Sequence, residues 1–301
     1  MNNAPYSESR QKKISPYALA ALMIVSRLFA LSMYIPSEGE NAALTAVTAM
    51  VLCLFKLPMF LGAAKLFRLA SKRPKILGAV LMVSAVLFII VSADSFTDML
   101  ESVYPERLTK LAAAVVLIFA CIYTASMGVE GTVRAACVIL GVFTVTIIPV
   151  LFSMRGSMLT DRIDLYSEMP FTEITRSAGE LLRYFAEPLI FAGLLPFAGG
   201  EDRRTAGIAA KSYLIAEALI SCVLFLMHAA VMGRFFGQSG YAFFTLSYNT
   251  HGTIIDRANG VFTCVSSMGA VITIAALMLV FREGLEMMNV KKETIRERQT
   301  A

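Results

Sequence analysis

Charge is scarce in this sequence: only 16% of its 301 residues are Asp, Glu, Lys or Arg, where a soluble domain carries roughly 25%. That shortage excludes a fold surrounded by water. Also missing are a CxxC pair, a histidine close enough to any cysteine to complete a metal site, a nucleophile elbow and a glycine loop that could cradle phosphate. The chain is therefore not read as an enzyme, and no metal or cofactor is expected. A net charge of +5 does not mark a nucleic-acid binder, because the basic residues fall where membrane topology would put them. No cleavable signal peptide is read: residues 1–13 are polar, and the first apolar run is too long and lacks a small-residue cleavage site.

What the sequence has is apolar length. Apolar residues make up 57% of it and mean hydropathy is +0.67. They are gathered into runs of about 20, the length a helix needs to cross roughly 30 Å of hydrocarbon. Helix is the economical spanning form, since a lipid-facing strand edge leaves backbone groups unpaired. The fold class predicted is an all-α membrane protein with about eight transmembrane helices, near residues 15–34, 42–66, 76–94, 108–127, 132–154, 181–199, 211–233 and 262–281. Cys53, Cys121, Cys137, Cys222 and Cys264 all lie inside these runs and read as small packing residues.

The connectors alternate in charge. Lys65, Arg68, Lys72, Arg73 and Lys75 follow the second run, whereas Glu38, Glu40, Asp98, Glu101 and Glu106 mark the opposite side. By the positive-inside rule both termini are cytoplasmic, and Arg203, Arg204, Lys211, Arg282, Lys291, Lys292, Arg296 and Arg298 then fall inside as well. Two longer connectors lie outside, at 155–180 and 234–260. The second carries Tyr241, Phe243, Phe244 and Tyr248, either as a short interfacial helix or as a loop with aromatic anchors.

Several stretches together resemble the endospore germination permeases, the B subunits of spore germinant receptors, within the amino acid, polyamine and organocation transporter superfamily. They are Ile14-Ser15-Pro16-Tyr17, Gly128-Val129-Glu130-Gly131-Thr132-Val133-Arg134, and Phe185-Ala186-Glu187-Pro188 followed by Leu195-Pro196. Weaker echoes are the aromatic connector and Ile254-Ile255-Asp256-Arg257. The resemblance implies ten spans built as two inverted five-helix repeats. On that reading residues 1–13 are a cytoplasmic segment, 14–154 the first repeat, 155–180 an extracytoplasmic connector, 181–281 a second repeat truncated by its last two helices, and 282–301 a basic cytoplasmic tail. The ligand site it implies lies between the first and sixth spans. Partners implied are an amino acid-like small molecule, the lipid bilayer of the cytoplasmic or spore inner membrane, and the A and C receptor subunits. One departure stands out: the superfamily breaks its first helix with glycines, and residues 18–34 contain none. The helix is either continuous or broken at Ser26-Arg27.

Ionisable residues at membrane depth are costly and usually paired, so they mark candidate sites. Four qualify: Arg27, Lys56, Glu187 and Glu217. Counting residues from the run edges puts Arg27 and Glu187 at about 18 and 20 Å from the cytoplasmic edge, and Lys56 and Glu217 both at about 9 Å. Two ion pairs are predicted: Lys56 with Glu217 as a structural bridge, and Arg27 with Glu187 at the ligand site. For each, a bridge between helices or snorkelling of the long basic side chain is the plain alternative. Pro188, Gly193, Pro196, Gly199 and Gly200 interrupt the sixth run, and an interrupted helix at depth is tolerated where it is buried or lines a cavity. The ligand-binding residues predicted are Ser26, Arg27, Phe185, Glu187, Pro188 and Gly193, with free N–H groups after Pro188 as a second anion holder. Glu130 with Arg134 reads as a local helix pair. Ser92, Asp94, Ser266 and Ser267 either face a cavity or bond their own backbone, and His228 and His251 are isolated. The expected function is a permease-type germinant receptor subunit that senses, or transports, an amino acid-like molecule; the alternative is a secondary amino-acid transporter with a coupling proton on Glu187.

Overall fold

The computed structural model describes residues 14–70, 74–104, 109–154, 158–159, 162–163, 171–198, 203–248 and 259–300. Residues 1–13, Lys72, Arg73, Glu106, Gly199, Gly200, His251, Ile254 to Arg257 and most of the 155–170 connector therefore lie outside the described residues. Among the described residues ten α-helices follow in chain order: α1 Pro16–Ser32, α2 Ala42–Ala70, α3 Pro74–Val103, α4 Lys110–Ser126, α5 Gly128–Met154, α6 Phe171–Arg183, α7 Glu187–Leu194, α8 Arg203–Met232, α9 Ala242–Tyr248 and α10 Asn259–Thr300. Short 3-10 turns at Leu195–Ala198 and Gly233–Gln238 extend α7 and α8, and no strand occurs among the described residues.

Six helical stretches are long and apolar enough to cross a membrane: Ala42–Lys65, Pro74–Val103, Gly128–Pro149, Thr172–Ala198, Arg204–Met232 and Phe262–Asn289. Two shorter apolar helices, α1 and α4, stand beside them. The chain is a multi-pass, all-α integral membrane protein.

Its core inverts the soluble pattern, because the apolar surface faces out as well as in. Leu54, Phe55, Leu111, Val116, Phe119 and Phe152 of α2, α4 and α5 are exposed, the apolar outer surface that a helix in lipid presents. α1 has no such face: every residue from Leu19 to Ser32 is buried. Ser15 caps its N-terminus by accepting from the Tyr17 amide at 3.3 Å, with Pro16 in the first turn where its missing N–H costs nothing. This is the local role of the Ile14 to Tyr17 opening, and the Ile14 amide also donates to the Phe197 carbonyl at 2.9 Å.

The Gly128 to Arg134 stretch folds the chain back between α4 and α5. Gly128 adopts a φ of +74°, which lets the reversal take a single step. Thr132 ties the turn by donating to the Gly128 carbonyl at 3.0 Å, and Glu130 pairs with Arg134 on the surface. α3 and α10 cross at Gly78 and Gly284, where a Cβ on Gly78 would lie 2.5 Å from the Gly284 carbonyl oxygen.

One open alternative is decided and three expectations are corrected. α1 is continuous through Ser26-Arg27, since nothing in it breaks the hydrogen-bond ladder. The sixth run is two elements, with an amphipathic helix, α6, filling the end of what reads as a connector. α10 does not stop at Phe281 but continues into the basic tail. Phe243 and Phe244 of α9 are buried rather than anchored at an interface, and Phe243 meets His228 edge-on at 4.8 Å.

Candidate functional site

The interruption is local chemistry. Residues Ile174, Ser177 and Leu181 give α6 an inward stripe at helical spacing, and it packs on α2. The ladder ends at Arg183, and the Phe185 and Ala186 amides make tight turns, to Leu182 and Tyr184 carbonyls at 3.0 and 2.8 Å. α7 then starts at Glu187 with Pro188 in its first turn. Pro188 thus begins a helix rather than breaking one, as its fixed φ favours. Gly193 is needed one turn further on: a Cβ there would sit 2.7 and 2.8 Å from the two Val280 methyls.

Arg27 spans the break. Its Nη1 donates to the Leu181 carbonyl at 2.7 Å, an acceptor the end of α6 leaves without a helical partner. Its Nε lies 2.8 Å from Glu217 Oε1 of α8. The same Oε1 receives the Lys56 ammonium from α2, and all three side chains are essentially without solvent exposure. The structure therefore brings Lys56 to Glu217 and takes Arg27 there too, forming one three-membered cluster rather than two pairs at different depths.

The correction has a geometric cause. α2 and α8 are 29 and 30 residues long and overrun the hydrocarbon, so counting Lys56 from the outer edge and Glu217 from Lys211 sets both too shallow. Measured from Arg203, Glu217 lies about 21 Å along its helix, close to the about 18 Å of Arg27.

Glu187 is left over. It is 0% exposed, and neither carboxylate oxygen has a hydrogen-bond partner. Arg27, Lys56 and Glu217 are the charges within its electrostatic reach. The N–H groups after Pro188 are not available as a second anion holder, because Leu189 and Ile190 both donate to the Ala186 carbonyl, at 3.1 and 3.0 Å. Ser26 Oγ adds a further buried polar atom without a partner, and the Tyr213 hydroxyl stands beside Glu217.

Aromatic side chains wall this polar patch. Phe60, one turn after Lys56, meets Phe185, Phe191 and Tyr213 edge-on at 6.0, 5.2 and 5.3 Å. The Lys56 ammonium lies 4.4 Å from the centre of the Phe185 ring, a favourable cation–π placement.

Sequence reasoning missed Tyr213, Phe60 and the Leu181 carbonyl. Tyr213 was findable, since it stands one turn from Glu217 on the same helix. The other marked positions are structural. Asp94 and Asp98 of α3 hold Lys110 of α4 at 2.8 and 2.5 Å. Ser267 donates to the Thr263 carbonyl of its own helix, while Ser92 and Ser266 are buried. His228 sits 2.7 Å from the Leu224 carbonyl through Nδ1, inside a phenylalanine cluster. Among the described residues no group of His, Cys, Asp or Glu is placed to hold a metal.

No family model, curated protein or solved structure matches this chain.

Proposed function

We propose that this protein is a permease-type receptor subunit for spore germination, binding an amino acid-like molecule between α1 and the α6–α7 break and sensing it at the membrane. The observation that carries the binding reading is Glu187. A buried carboxylate without a donor is expensive, and a ligand ammonium supplies the donors it lacks. Arg27 and Glu217 hold the surrounding helices in place, Lys56 adds the second positive charge beside them, and Phe60, Phe185 and Tyr213 shape the wall. Arg27 is a clamp rather than the ligand's carboxylate holder, since Glu217 and the Leu181 carbonyl already occupy it. The germination part rests on the resemblance of the Ile14, Gly128 and Phe185 stretches, and adjacent genes for A and C partners are its cheapest check.

In this reading the chain crosses the cytoplasmic or spore inner membrane eight times, α1 and α4 included, with both termini inside. The test is amino-acid binding to the purified protein in nanodiscs. Glu187→Gln keeps size and removes charge. Losing a charged hydrogen bond costs about 1.5–3 kcal/mol, so affinity should fall about 10-fold to 100-fold while protein yield holds. An unchanged affinity would remove Glu187 from the site. Secondary transport is the second reading, favoured by the interrupted helix at depth; accumulation of label in proteoliposomes separates it from sensing.

A further inference from the structure

The four ionisable side chains at the centre of the bundle do not balance in pairs. Two cations, Arg27 and Lys56, share one oxygen of Glu217, while a second carboxylate in the same patch has neither donor nor contact ion pair. An ionised carboxylate taken wholly out of water and left unpaired is strongly disfavoured. A proton is the smallest occupant that removes that charge.

We propose that Glu187 is a proton-binding site, and that Lys56 is the counter-ion which crosses from Glu217 to Glu187 when the proton leaves. The inference shares a residue with the ligand site above and stands without it.

The two cations are not equivalent. Arg27 is held from two sides, by the Leu181 carbonyl at 2.7 Å and by Glu217 at 2.8 Å, and its planar fork suits fixed geometry. Lys56 has a single ion pair among the described residues. Its ammonium is a compact charge on a flexible four-carbon stem, and it already lies against the ring of Phe185, two residues before Glu187. That ring is a cation-favouring surface on the segment that carries Glu187. Once Lys56 departs, Arg27 still neutralises Glu217.

The charge count closes. With Glu187 protonated, the cluster carries two positive charges and one negative. On release the carboxyl O–H bond breaks, both electrons stay on the carboxylate, and the proton passes to water. The cluster is then neutral.

Facing Glu187 are Arg27 from α1, Lys56 from α2, and Tyr213 and Glu217 from α8, with Cys53 of α2 beside Glu217. α10 packs against α7 with Val280 over Gly193, and its charged residues begin only at Arg282. α3 carries none between Lys75 and Asp94, and the Leu195–Ala198 turn has none.

The test needs no ligand. Infrared difference spectra of the full chain in lipid, taken between acid and alkaline buffer, read the carbonyl stretch of a protonated carboxyl directly. Wild type should show a carboxyl band that disappears on alkalinisation, and Glu187→Gln should lack it. Lys56→Met removes the arriving counter-ion, so the band should persist to higher pH, with proton affinity raised about 10-fold or more, one unit of midpoint. Lys56→Gln carries the same expectation where Lys56→Met does not accumulate.

A band that survives Glu187→Gln, or no titrating carboxyl at all, overturns the proton site. A midpoint indifferent to both Lys56 variants overturns the counter-ion role. Failure of amino-acid binding with the Glu187 band intact would instead overturn the ligand reading.

Discussion

At the scale of single residues, the organising fact is that one carboxylate serves two cations. Glu217 accepts from Lys56 of α2 and stands 2.8 Å from Arg27 of α1, so removing its charge takes from both cations the carboxylate they share. Breaking a buried pair by deleting one partner costs on the order of 3–5 kcal/mol. Glu217→Gln should therefore lower the unfolding midpoint of detergent-purified protein sharply. Because the cluster has three members, Lys56→Met in the Glu217→Gln background should restore only part of the loss. The triple variant that also carries Arg27→Met should recover more. Full recovery in the double variant would mean that Arg27 does not depend on Glu217. The four residues were legible in the sequence as charges out of place, but their partners were not. Depth counted from helix ends is only as good as the ends, and α8 begins eight residues before Lys211, which sets Glu217 deeper than the apolar run alone implies.

At the scale of elements, the break between α6 and α7 is fixed less by Pro188 than by what packs around it. α7 is eight residues long, too short to hold itself, and it is pinned by Gly193 against Val280 of α10. Gly193→Ala should cost about 1–3 kcal/mol in unfolding free energy, the usual penalty for overpacking a filled site. Val280→Ala should relieve it, since the obstruction is a side chain. Gly78→Ala at the α3–α10 crossing should find no such relief, because there a backbone carbonyl stands in the way. Proline and glycine in the 188–200 stretch announced an irregular element correctly. The amphipathic run of α6 has a polar outer face and so no apolar length to set it apart from a connector.

At the scale of the molecule, hydropathy carried the fold class, because membrane burial writes itself into long uniform runs. Topology is a finer matter, decided by which connectors hold the basic residues. With both termini inside, single cysteines replacing Gly240 and Lys65 in a cysteine-free background should label from opposite faces. Gly240 is exposed beside α9, and Lys65 is exposed near the other end of α2. Labelling of both from one face would overturn the eight-span arrangement.

The ion cluster also has a history written into chain order. Arg27 finds its carbonyl 154 residues downstream, and Lys56 its carboxylate 161 residues downstream. During synthesis the first two helices therefore leave the ribosome as carriers of unmatched positive charge, each worth roughly 2.5–3.5 kcal/mol against residence at mid-bilayer. Only when α8 emerges does the debt clear, so the protein's entry into the membrane is completed late and cooperatively, by a helix whose carboxylate follows Lys56 by 161 residues.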